Sequence, residues 1–257
     1  MGANYSFYWL PCLLLLVLIF PRALHLAQSV HLASVVADAA SDLRCDAWRL
    51  SAETNNVGSF KVIPSECEHF IGNYMMGDRY RYDSEMVAMI ALSFAQTVKI
   101  VGDGNDVWVF DIDETLLSNL PYYQEHGFGS ELFNATLWDQ WVDSGEAAAL
   151  PASLKLFNKI KQLGFTIILL SGRDENQRVL TRKNLMAARY RNWGKLILRG
   201  GEYHGMNATV YKSQKRAELV AKGFRIHGSF GDQWSDLQGF AVAERSFKFP
   251  NPMYYIA

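Results

Sequence analysis

The residues best suited to chemistry are two pairs of aspartates at the ends of predicted strands. Asp111 and Asp113 lie at the C-terminal end of the apolar run VWVFDI at 107–112, and Asp232 and Asp236 follow a second predicted strand at 224–230. Carboxylates placed where a buried strand opens into a loop are costly unless a cation or a shared proton compensates their charge. Mg²⁺ prefers such hard oxygen ligands and often has a phosphate as co-ligand. The four carboxylates therefore predict a magnesium site that handles a phosphoryl group.

Three other residues supply groups that would orient a phosphate. Ser171 and Gly172 follow a third predicted strand, at 165–170, and offer a hydroxyl and backbone N–H groups, and Lys212 offers a cation at the predicted start of a helix. Such groups neutralise and orient a phosphoryl group. Singly, each has a plainer interpretation: a turn at Ser171, a solvated helix start at Lys212, a turn cap at Asp232. An Asp-x-Asp pair also occurs in other metal-binding loops, including those of sugar-nucleotide transferases. Agreement in chain order, strand placement and residue type favours the joint site.

Alternating strands and helices are predicted to position these residues. Strands are predicted at 107–112, 165–170, 196–198 and 224–230, the first two from nearly continuous apolar, β-prone runs. Helices are predicted at 64–75, 83–100, 136–142, 151–163, 174–190 and 213–221, the longer ones from helical periodicity and stop signals. This alternation predicts an α/β fold with a doubly wound parallel sheet, which binds ligands at the carboxyl ends of its strands.

Two early segments have patterns of their own. The predicted helix at 83–100 places its large apolar residues near one face: Met86, Val87, Ile90, Phe94 and Val98. Residues 38–63 show no clean period, and we expect them to wrap irregularly over the core.

The N-terminus has the pattern of a secretory signal peptide. The apolar run at 10–20 is too short to cross about 30 Å of hydrocarbon as a helix, and small residues follow it. We expect residues 1–27 to be removed, after which no stable membrane insertion remains. The absence of Lys and Arg before the run leaves a membrane anchor open as an alternative. Residues 28–257 then form a single domain, with an aromatic, irregular cap insertion at about 119–150.

Composition limits the class of protein and its partners. The chain has 257 residues, of which 49% are hydrophobic and 20% charged, which is typical of a packed globular protein. The formal net charge is -1, so no basic field is expected to attract nucleic acid. A small molecule is therefore a better partner than a nucleic acid.

Cysteines and sequons are consistent with the secretory route. Cys45 and Cys67 remain once the signal segment is removed, and an oxidising compartment favours one disulfide between them, two buried free thiols being the alternative. Asn134 and Asn207 each begin an Asn-x-Thr sequon and are candidate glycosylation sites. These features predict a vacuolar or extracellular protein.

Four motifs carry a family resemblance. They are FDIDETLLSNLPYY at 110–123, LLSGRDE at 169–175, YKSQKR at 211–216 and GDQWSDL at 231–237. They resemble the motifs of the haloacid dehalogenase superfamily and, more narrowly, those of the plant acid phosphatase and vegetative storage protein family. The likeness extends to CDAWRL at 45–50 and to Cys67, and so covers essentially the whole mature chain. It implies a haloacid dehalogenase-like Rossmannoid fold with a small cap after the first catalytic strand.

The resemblance also implies roles for the catalytic residues. Asp111 would be the nucleophile that forms an aspartyl phosphate, and Asp113 would be the general acid and then the base that activates water. Ser171, with Gly172, would bind a phosphoryl oxygen, and Lys212 would offset the charge of the phosphate and of Asp111. Because Asp113 must be protonated in the first step, an acidic pH optimum is expected.

The cofactor and the cap follow from the same resemblance. Mg²⁺ would be held by the side chain of Asp111, the backbone carbonyl of Asp113 and Asp232, with Asp236 close by or bound through water. The cap would cover the site. Its residues Tyr122, Tyr123 and His126 are candidates to contact the leaving group, although packing within the cap is the favoured interpretation.

Two functions of different class follow. One is a secreted or vacuolar Mg²⁺-dependent acid phosphatase that hydrolyses small phosphomonoesters. The other is a vegetative storage glycoprotein with weak or vestigial activity. Storage members of the family can lack the nucleophile, so the presence of Asp111 favours the enzyme. The resemblance makes a homodimer reasonable.

Overall fold

The computed structural model describes residues 40–58, 60 and 62–256. The described residues belong to two units, residues 40–46 in the first and residues 47–256 in the second. In the first unit the described residues, 40–46, are helical, and the predicted signal peptide at 1–27 lies outside the described residues. Cys45 and Cys67 are both disulfide-bonded, which confirms the predicted disulfide.

The second unit alternates helices and strands. Its helices are residues 47–53 (α1), Glu68–Met76 (α2), Asp78–Ala95 (α3), Leu120–Glu125 (α4), Ala135–Ser144 (α5), Pro151–Gln162 (α6), Arg178–Ala187 (α7), Ala208–Ala221 (α8) and Trp234–Leu237 (α9). Its strands are Asp106–Phe110 (β1), Leu117–Ser118 (β2), Ala148–Ala149 (β3), Thr166–Asp174 (β4), Lys195–Arg199 (β5), Arg225–Gly231 (β6) and Arg245–Lys248 (β7). Short 3-10 helices lie at Ser65–Cys67, Gly127–Gly129, Glu175–Gln177 and Gly201–Tyr203.

Five strands form one parallel sheet in the order β5-β4-β1-β6-β7. In this sheet Phe110 of β1 is paired with Leu169 of β4 and with Phe230 of β6. The residues that follow these three therefore reach the same edge of the sheet. The predicted convergence at the carboxyl ends of the strands is thus a direct result of strand register.

The two faces of the sheet have different cores. Val107 and Val109 of β1 pack on an aliphatic face with Tyr211 and Leu219 of α8. The alternate residues of β1 lie on the other face, where Trp108 contacts Phe94, Phe165 and Phe247, and Phe110 contacts Phe157 and Phe230. Because helices cover both faces, the predicted doubly wound α/β fold is confirmed.

Two predictions for the early helices were wrong. Residues 47–53 are helical, although an irregular segment was expected; their helix-favouring residues outweigh the absence of a clean apolar period. Helix α3 begins and ends five residues earlier than predicted, and its buried side is formed mainly by small residues: Tyr80, Ser84, Ala88, Ala91 and Ala95. Met86 and Ile90 are exposed. Small side chains let α3 approach helix α6 closely, so residue size misled the prediction of its face.

A small insertion lies where a cap was predicted. Strand β2 pairs antiparallel with β3, and the chain between them contains α4 and α5. The side chain of Asn134 caps the N-terminus of α5, and the side chain of Asn207 caps that of α8. Both asparagines are exposed, and their glycosylation stays a prediction. Because α8 begins at its Asn207 cap, Lys212 lies in the second turn of the helix and not at its start.

Candidate active site

Three aspartates and one lysine meet at the carboxyl end of the central strands. Side-chain oxygens of Asp111, Asp232 and Asp236 lie within 4.8 Å of one another, and all three residues are buried. The Nζ of Lys212 donates a hydrogen bond of 2.7 Å to Oδ1 of Asp111 and a second hydrogen bond to Asp236. One buried ammonium group is therefore shared by two carboxylates, and it makes no ion pair with the third.

Burial and mutual repulsion perturb these groups. Burial and the neighbouring Asp236 raise the pKa of Asp111 well above its usual range. The same two causes, in the same order, raise the pKa of Asp232 to about 6. Burial opposes the charged form of Lys212, but the carboxylates of Asp111 and Asp236 raise its pKa overall. The cluster therefore carries more negative charge than its lysine neutralises.

Hydrogen bonds from distant parts of the chain fix Asp232. One of its carboxylate oxygens accepts a bond of 3.0 Å from the Thr115 hydroxyl, in the loop after β1. The other accepts bonds from the side-chain amides of Gln233, at 2.8 Å, and Asn251, at 2.7 Å. Asn251 lies after β7, and its backbone N–H is in turn bound by Glu53 of α1.

Asp236 is fixed by its own short helix. It forms a capping box with Gln233, whose backbone N–H donates to Oδ2 of Asp236 at 2.9 Å. A Cβ atom at Gly231 would lie 2.4 Å from Oδ2 of Asp236, so only glycine allows this close approach. Arg216, fully buried on α8, holds the following loop through the carbonyls of Asp236, Gln238, Phe240 and Ala241.

Asp113 has a separate environment. Its carboxylate accepts bonds of 3.0 Å and 2.7 Å from Nε and Nη2 of Arg173, and a bond of 2.9 Å from the amide of Asn119. The Arg173 side chain is 1% exposed and that of Asp113 is 16% exposed. Arg173 and Asn119 therefore orient the Asp113 side chain, which remains open to the cavity. It is not among the clustered carboxylate oxygens.

A further carboxyl group shares the side-chain amide of Asn119 with Asp113. Glu114 is fully buried, has a positive φ of 49°, and accepts two bonds of 2.7 Å from the backbone and the side chain of Asn119. Burial, and then the nearby Asp232, raise the pKa of Glu114 well above its usual range. The Asn119 amide thus links Glu114 to Asp113, and its carbonyl accepts a bond of 2.8 Å from the indole of Trp141 in the cap.

Ser171 and Gly172 lie in β4 beside this cluster. The Ser171 hydroxyl is buried and accepts the backbone N–H of Arg173 at 3.1 Å. Gly172 is exposed, and a Cβ atom there would meet nothing within 4 Å. Both residues line the same cavity as the catalytic candidates, and Gly172 leaves open space at its edge.

The cavity has a volume of about 660 Å³ and a mixed lining. Its floor contains the polar residues Asp111, Asp113, Ser171, Arg173, Lys212 and Asp232. Its walls are largely aromatic, formed by Phe60, Tyr123, Phe133, Trp138, Tyr254 and Tyr255. A small polar headgroup on the floor and an apolar group between the walls would both be accommodated.

The cap aromatics divide into two groups. Tyr123 lines the cavity and stacks on Tyr254, with ring centroids 5.1 Å apart. Tyr122 is buried against Trp138 and His126, and neither Tyr122 nor His126 lines this cavity. Packing within the cap therefore accounts for two of the three candidates, and Tyr123 alone stays a candidate for ligand contact.

Several supporting residues had no predicted role. Arg173 and Arg216 lie inside the quoted motifs, and a basic residue within an apolar strand or on a buried helix face was the available signal. Glu114, Thr115 and Asn119 also lie within the first motif. Asn251 carried no sequence signal, because only the fold brings the chain after β7 beside Asp232.

The donor set fits a divalent cation. Three buried carboxylates converge, and the raised pKa values of Asp111 and Asp232 indicate that positive charge is lacking. Oxygen ligands of this kind suit Mg²⁺, and Asp111 and Asp232 are the members best placed to hold it, since both line the cavity. Asp236 uses its oxygens for Lys212 and Gln233.

This fold and this site are typical of hydrolases that act on phosphate esters, and comparison with known proteins agrees. Residues 31–257 match the model of the haloacid dehalogenase superfamily, subfamily IIIB (acid phosphatase). The chain therefore belongs to this family of acid phosphatases, as the motifs predicted.

Relatives of known name support the family. The chain is 50% identical to acid phosphatase 1 of Solanum lycopersicum, over 84% of each chain. It is 45% identical to a stem 31 kDa glycoprotein of Glycine max, over 84% of this chain and 85% of the relative. It is 37% identical to vegetative storage protein 1 of Arabidopsis thaliana, over 82% of this chain and 78% of the relative.

A solved structure shows the same fold. The class C acid phosphatase from Bacillus anthracis superposes with a TM-score of 0.58 at 24% identity, over 74% of this chain and 86% of that chain. In the part of the chain described here, none of the helices has the length and apolarity required to cross a bilayer.

Proposed function

We propose that this protein hydrolyses small phosphomonoesters with Mg²⁺, through an aspartyl phosphate on Asp111. The observation that carries the proposal is the position of Asp111 on the cavity floor, within 2.7 Å of the Lys212 ammonium and beside Asp232. A bound Mg²⁺, held by Asp111 and Asp232, would neutralise the carboxylates and the phosphate oxygens.

In the first step a carboxylate oxygen of Asp111 attacks phosphorus, and the bond from phosphorus to the ester oxygen breaks. The departing alkoxide takes a proton from Asp113 and leaves as an alcohol. Lys212 and the Ser171 hydroxyl stabilise the negative charge on the phosphoryl oxygens. Asp113 suits this role because it opens to the cavity without entering the carboxylate cluster.

In the second step Asp113 accepts a proton from water, and the resulting hydroxide oxygen attacks phosphorus. The bond from phosphorus to Asp111 breaks, so inorganic phosphate is released and the Asp111 carboxylate is regenerated. Two hydrogen bonds from Arg173 hold the Asp113 carboxylate in place for this proton transfer. The first step requires the protonated form, whose fraction rises as pH falls. The proposal therefore includes an acidic pH optimum.

The compartment and the glycans belong to the same proposal. We propose that the chain enters the secretory pathway, loses residues 1–27, carries glycans at Asn134 and Asn207, and resides in the vacuole or outside the cell. The disulfide and the names of the stem glycoprotein relatives support this route. Attachment at the exposed side-chain nitrogen leaves each Oδ1 free to cap its helix.

A storage role is the second candidate. Relatives named as vegetative storage proteins favour it. The complete set of Asp111, Asp113, Ser171, Lys212 and Asp232 in one cavity favours catalysis. The two functions are separated by whether the folded protein turns over substrate.

The test is hydrolysis of an aryl phosphate at about pH 5 by the wild type and by Asp111→Asn, with and without Mg²⁺. We expect Mg²⁺-dependent turnover that the variant lowers by on the order of 10³-fold or more, with unchanged folding by circular dichroism. Asp103→Asn is the matched control, since this aspartate lies outside the cavity and its replacement should leave turnover intact. An inactive, folded wild type with Mg²⁺ would favour storage.

A further inference from the structure

The net charge of -1 averages over a very uneven distribution. Residues 147–201 contain eleven of the 25 Lys and Arg residues but two of the 26 Asp and Glu residues. Residues 176–198 contain no Asp or Glu, and their six basic residues are Arg178, Arg182, Lys183, Arg189, Arg191 and Lys195. This segment forms helix α7, the following loop and most of the edge strand β5. One edge of the sheet is therefore strongly basic.

Few of these charges are neutralised. Arg178 pairs with Glu175 and also donates a bond of 2.9 Å to the carbonyl of Leu196. The other five residues are exposed, and none forms an ion pair within the part of the chain that the structure describes. Lys161 of α6 adds a seventh basic side chain, because its Nζ donates to the carbonyl of Arg191 at 2.9 Å.

The basic edge contains a groove. Its volume is about 550 Å³, and its walls are α7 on one side and the start of β5 with its preceding loop on the other. Arg182 and Arg191 contribute guanidinium groups, Trp193 contributes an indole, and the exposed Val179 and Met186 contribute apolar surface. The groove and the active-site cavity have no lining residue in common.

The combination of groups indicates a carbohydrate with carboxylates. The planar fork of arginine binds a carboxylate through two parallel hydrogen bonds. An indole and neighbouring apolar side chains pack against the C–H face of a sugar ring, and the amide of Asn192, also in the groove, suits hydroxyl groups. We propose that this groove binds an acidic polysaccharide, with Arg182 and Arg191 on uronate carboxylates and Trp193 against a sugar ring.

Other polyanions fit this groove less well. Single-stranded nucleic acids are bound by several successive aromatic rings, whereas the lining contains one, Trp193. A bilayer surface requires an amphipathic face that enters the headgroup layer, whereas this site is concave. A linear, hydrated uronate chain matches both the concave shape and the unpaired charge. Because the catalytic cavity is separate, the bound enzyme would remain active.

The test is binding of the full chain to immobilised polygalacturonate, with dextran as the neutral polymer and phosphatidylserine vesicles as the membrane alternative. We expect binding to polygalacturonate that weakens with added NaCl, and none to dextran. Arg182→Gln combined with Arg191→Gln should weaken binding by about tenfold or more. Trp193→Leu, which keeps the charge, should weaken it by several-fold.

A matched control removes two arginines elsewhere. Arg79→Gln combined with Arg245→Gln gives the same net charge, but Arg79 lies on α3 and Arg245 on β7, at the opposite edge of the sheet from β5. Its binding should stay within about twofold of the wild type. Hydrolysis of an aryl phosphate should be unchanged in all these variants and serves as the check of folding.

Three outcomes would overturn the proposal. The first is a wild type that fails to bind polygalacturonate at low salt. The second is equal weakening in the two double-arginine variants, which would show a general charge effect. The third is tighter binding to the vesicles than to polygalacturonate, with no effect of Trp193→Leu.

Discussion

Aspartates cluster at both ends of the central sheet, but their charge is balanced at only one. At the amino end, Arg225 donates hydrogen bonds of 2.8 Å to Asp106 and 3.1 Å to Asp103. The ring nitrogens of His227 lie 2.8 Å from Asp106 and 3.0 Å from Glu244. At the carboxyl end, one lysine serves Asp111 and Asp236, and Asp232 has uncharged donors. The same residue type is thus placed in two opposite electrostatic settings.

The pKa directions show the consequence. At the amino end, the hydrogen bond from Arg225 lowers the pKa of Asp103 to about 2 and also lowers that of Asp106. At the carboxyl end, burial and repulsion raise the pKa values of Asp111 and Asp232. A balanced network holds the fold together by itself. An unbalanced one would be stabilised by the divalent cation and the phosphate that we propose to bind there.

The largest difference between the two ends is expected when the basic side chain at each, Lys212 or Arg225, is replaced. Lys212→Met should lower turnover by on the order of 10³-fold, and destabilise the fold by about 3–5 kcal/mol at pH 7, because it leaves buried carboxylates without a partner. Arg225→Met should lower the midpoint of thermal unfolding and keep turnover within about twofold. Steady-state kinetics and calorimetry of both variants test this. A comparable loss of turnover in Arg225→Met would break the distinction.

A smaller effect is expected at Asp113. Arg173→Lys keeps the charge but loses the two-bond fork, so Asp113 should be less well oriented. We expect kcat to fall about 10- to 100-fold while KM changes less, because orientation matters most in the transition state. Arg178→Lys, in an exposed pair, is the control. If KM rose with kcat unchanged, Arg173 would instead act mainly in substrate binding.

Metal and pH should act together at the carboxyl end. Folding raises the pKa of Asp232 from 3.8 to about 6. Between these pH values the native state binds more protons than the unfolded state, so the free energy of unfolding falls as pH rises. For Asp232 the full effect is about 3 kcal/mol. The unfolding midpoint of metal-free protein should therefore fall from pH 4 to 7, and Mg²⁺ should restore it at pH 7. An equal effect of Mg²⁺ at pH 4 would contradict this account.

The smallest effect is expected at His227. Burial opposes its charged form, but hydrogen bonds to Glu244 and Asp106 raise its pKa. The stability that protonated His227 contributes is fully present below its unfolded pKa of about 6.5. It is lost as pH rises through the raised pKa of the folded state. His227→Gln should remove that loss, at most about 1 kcal/mol. Calorimetry from pH 6 to 8, with and without Mg²⁺, tests it, and Mg²⁺ should make no difference to the His227 contribution.

Most of the fold could be predicted because the strands have simple patterns. The runs at 107–112 and 165–170 are apolar enough to identify buried strands, and the polar residues after them mark the binding edge. The face of α3 was missed because alanines, and not its methionines, pack against its neighbour. Strand β7 was missed because its four residues have a mixed pattern. The basic groove was hidden by a net charge near zero, although residues 176–198 contain no acidic residue.

The sequence by itself determined the chemical groups and their order along the chain: Asp111 and Asp113, Ser171, Lys212, then Asp232. Sequence motifs identify these residues because each occupies a fixed position at a strand end or on a helix. Tertiary structure alone decided which partners they meet. Arg173 is paired with Asp113, and Asn251 with Asp232, across separations that no local pattern reports. Charge balance is a property of such distant pairs, so only the folded chain shows which aspartates are neutralised and which are left for a ligand.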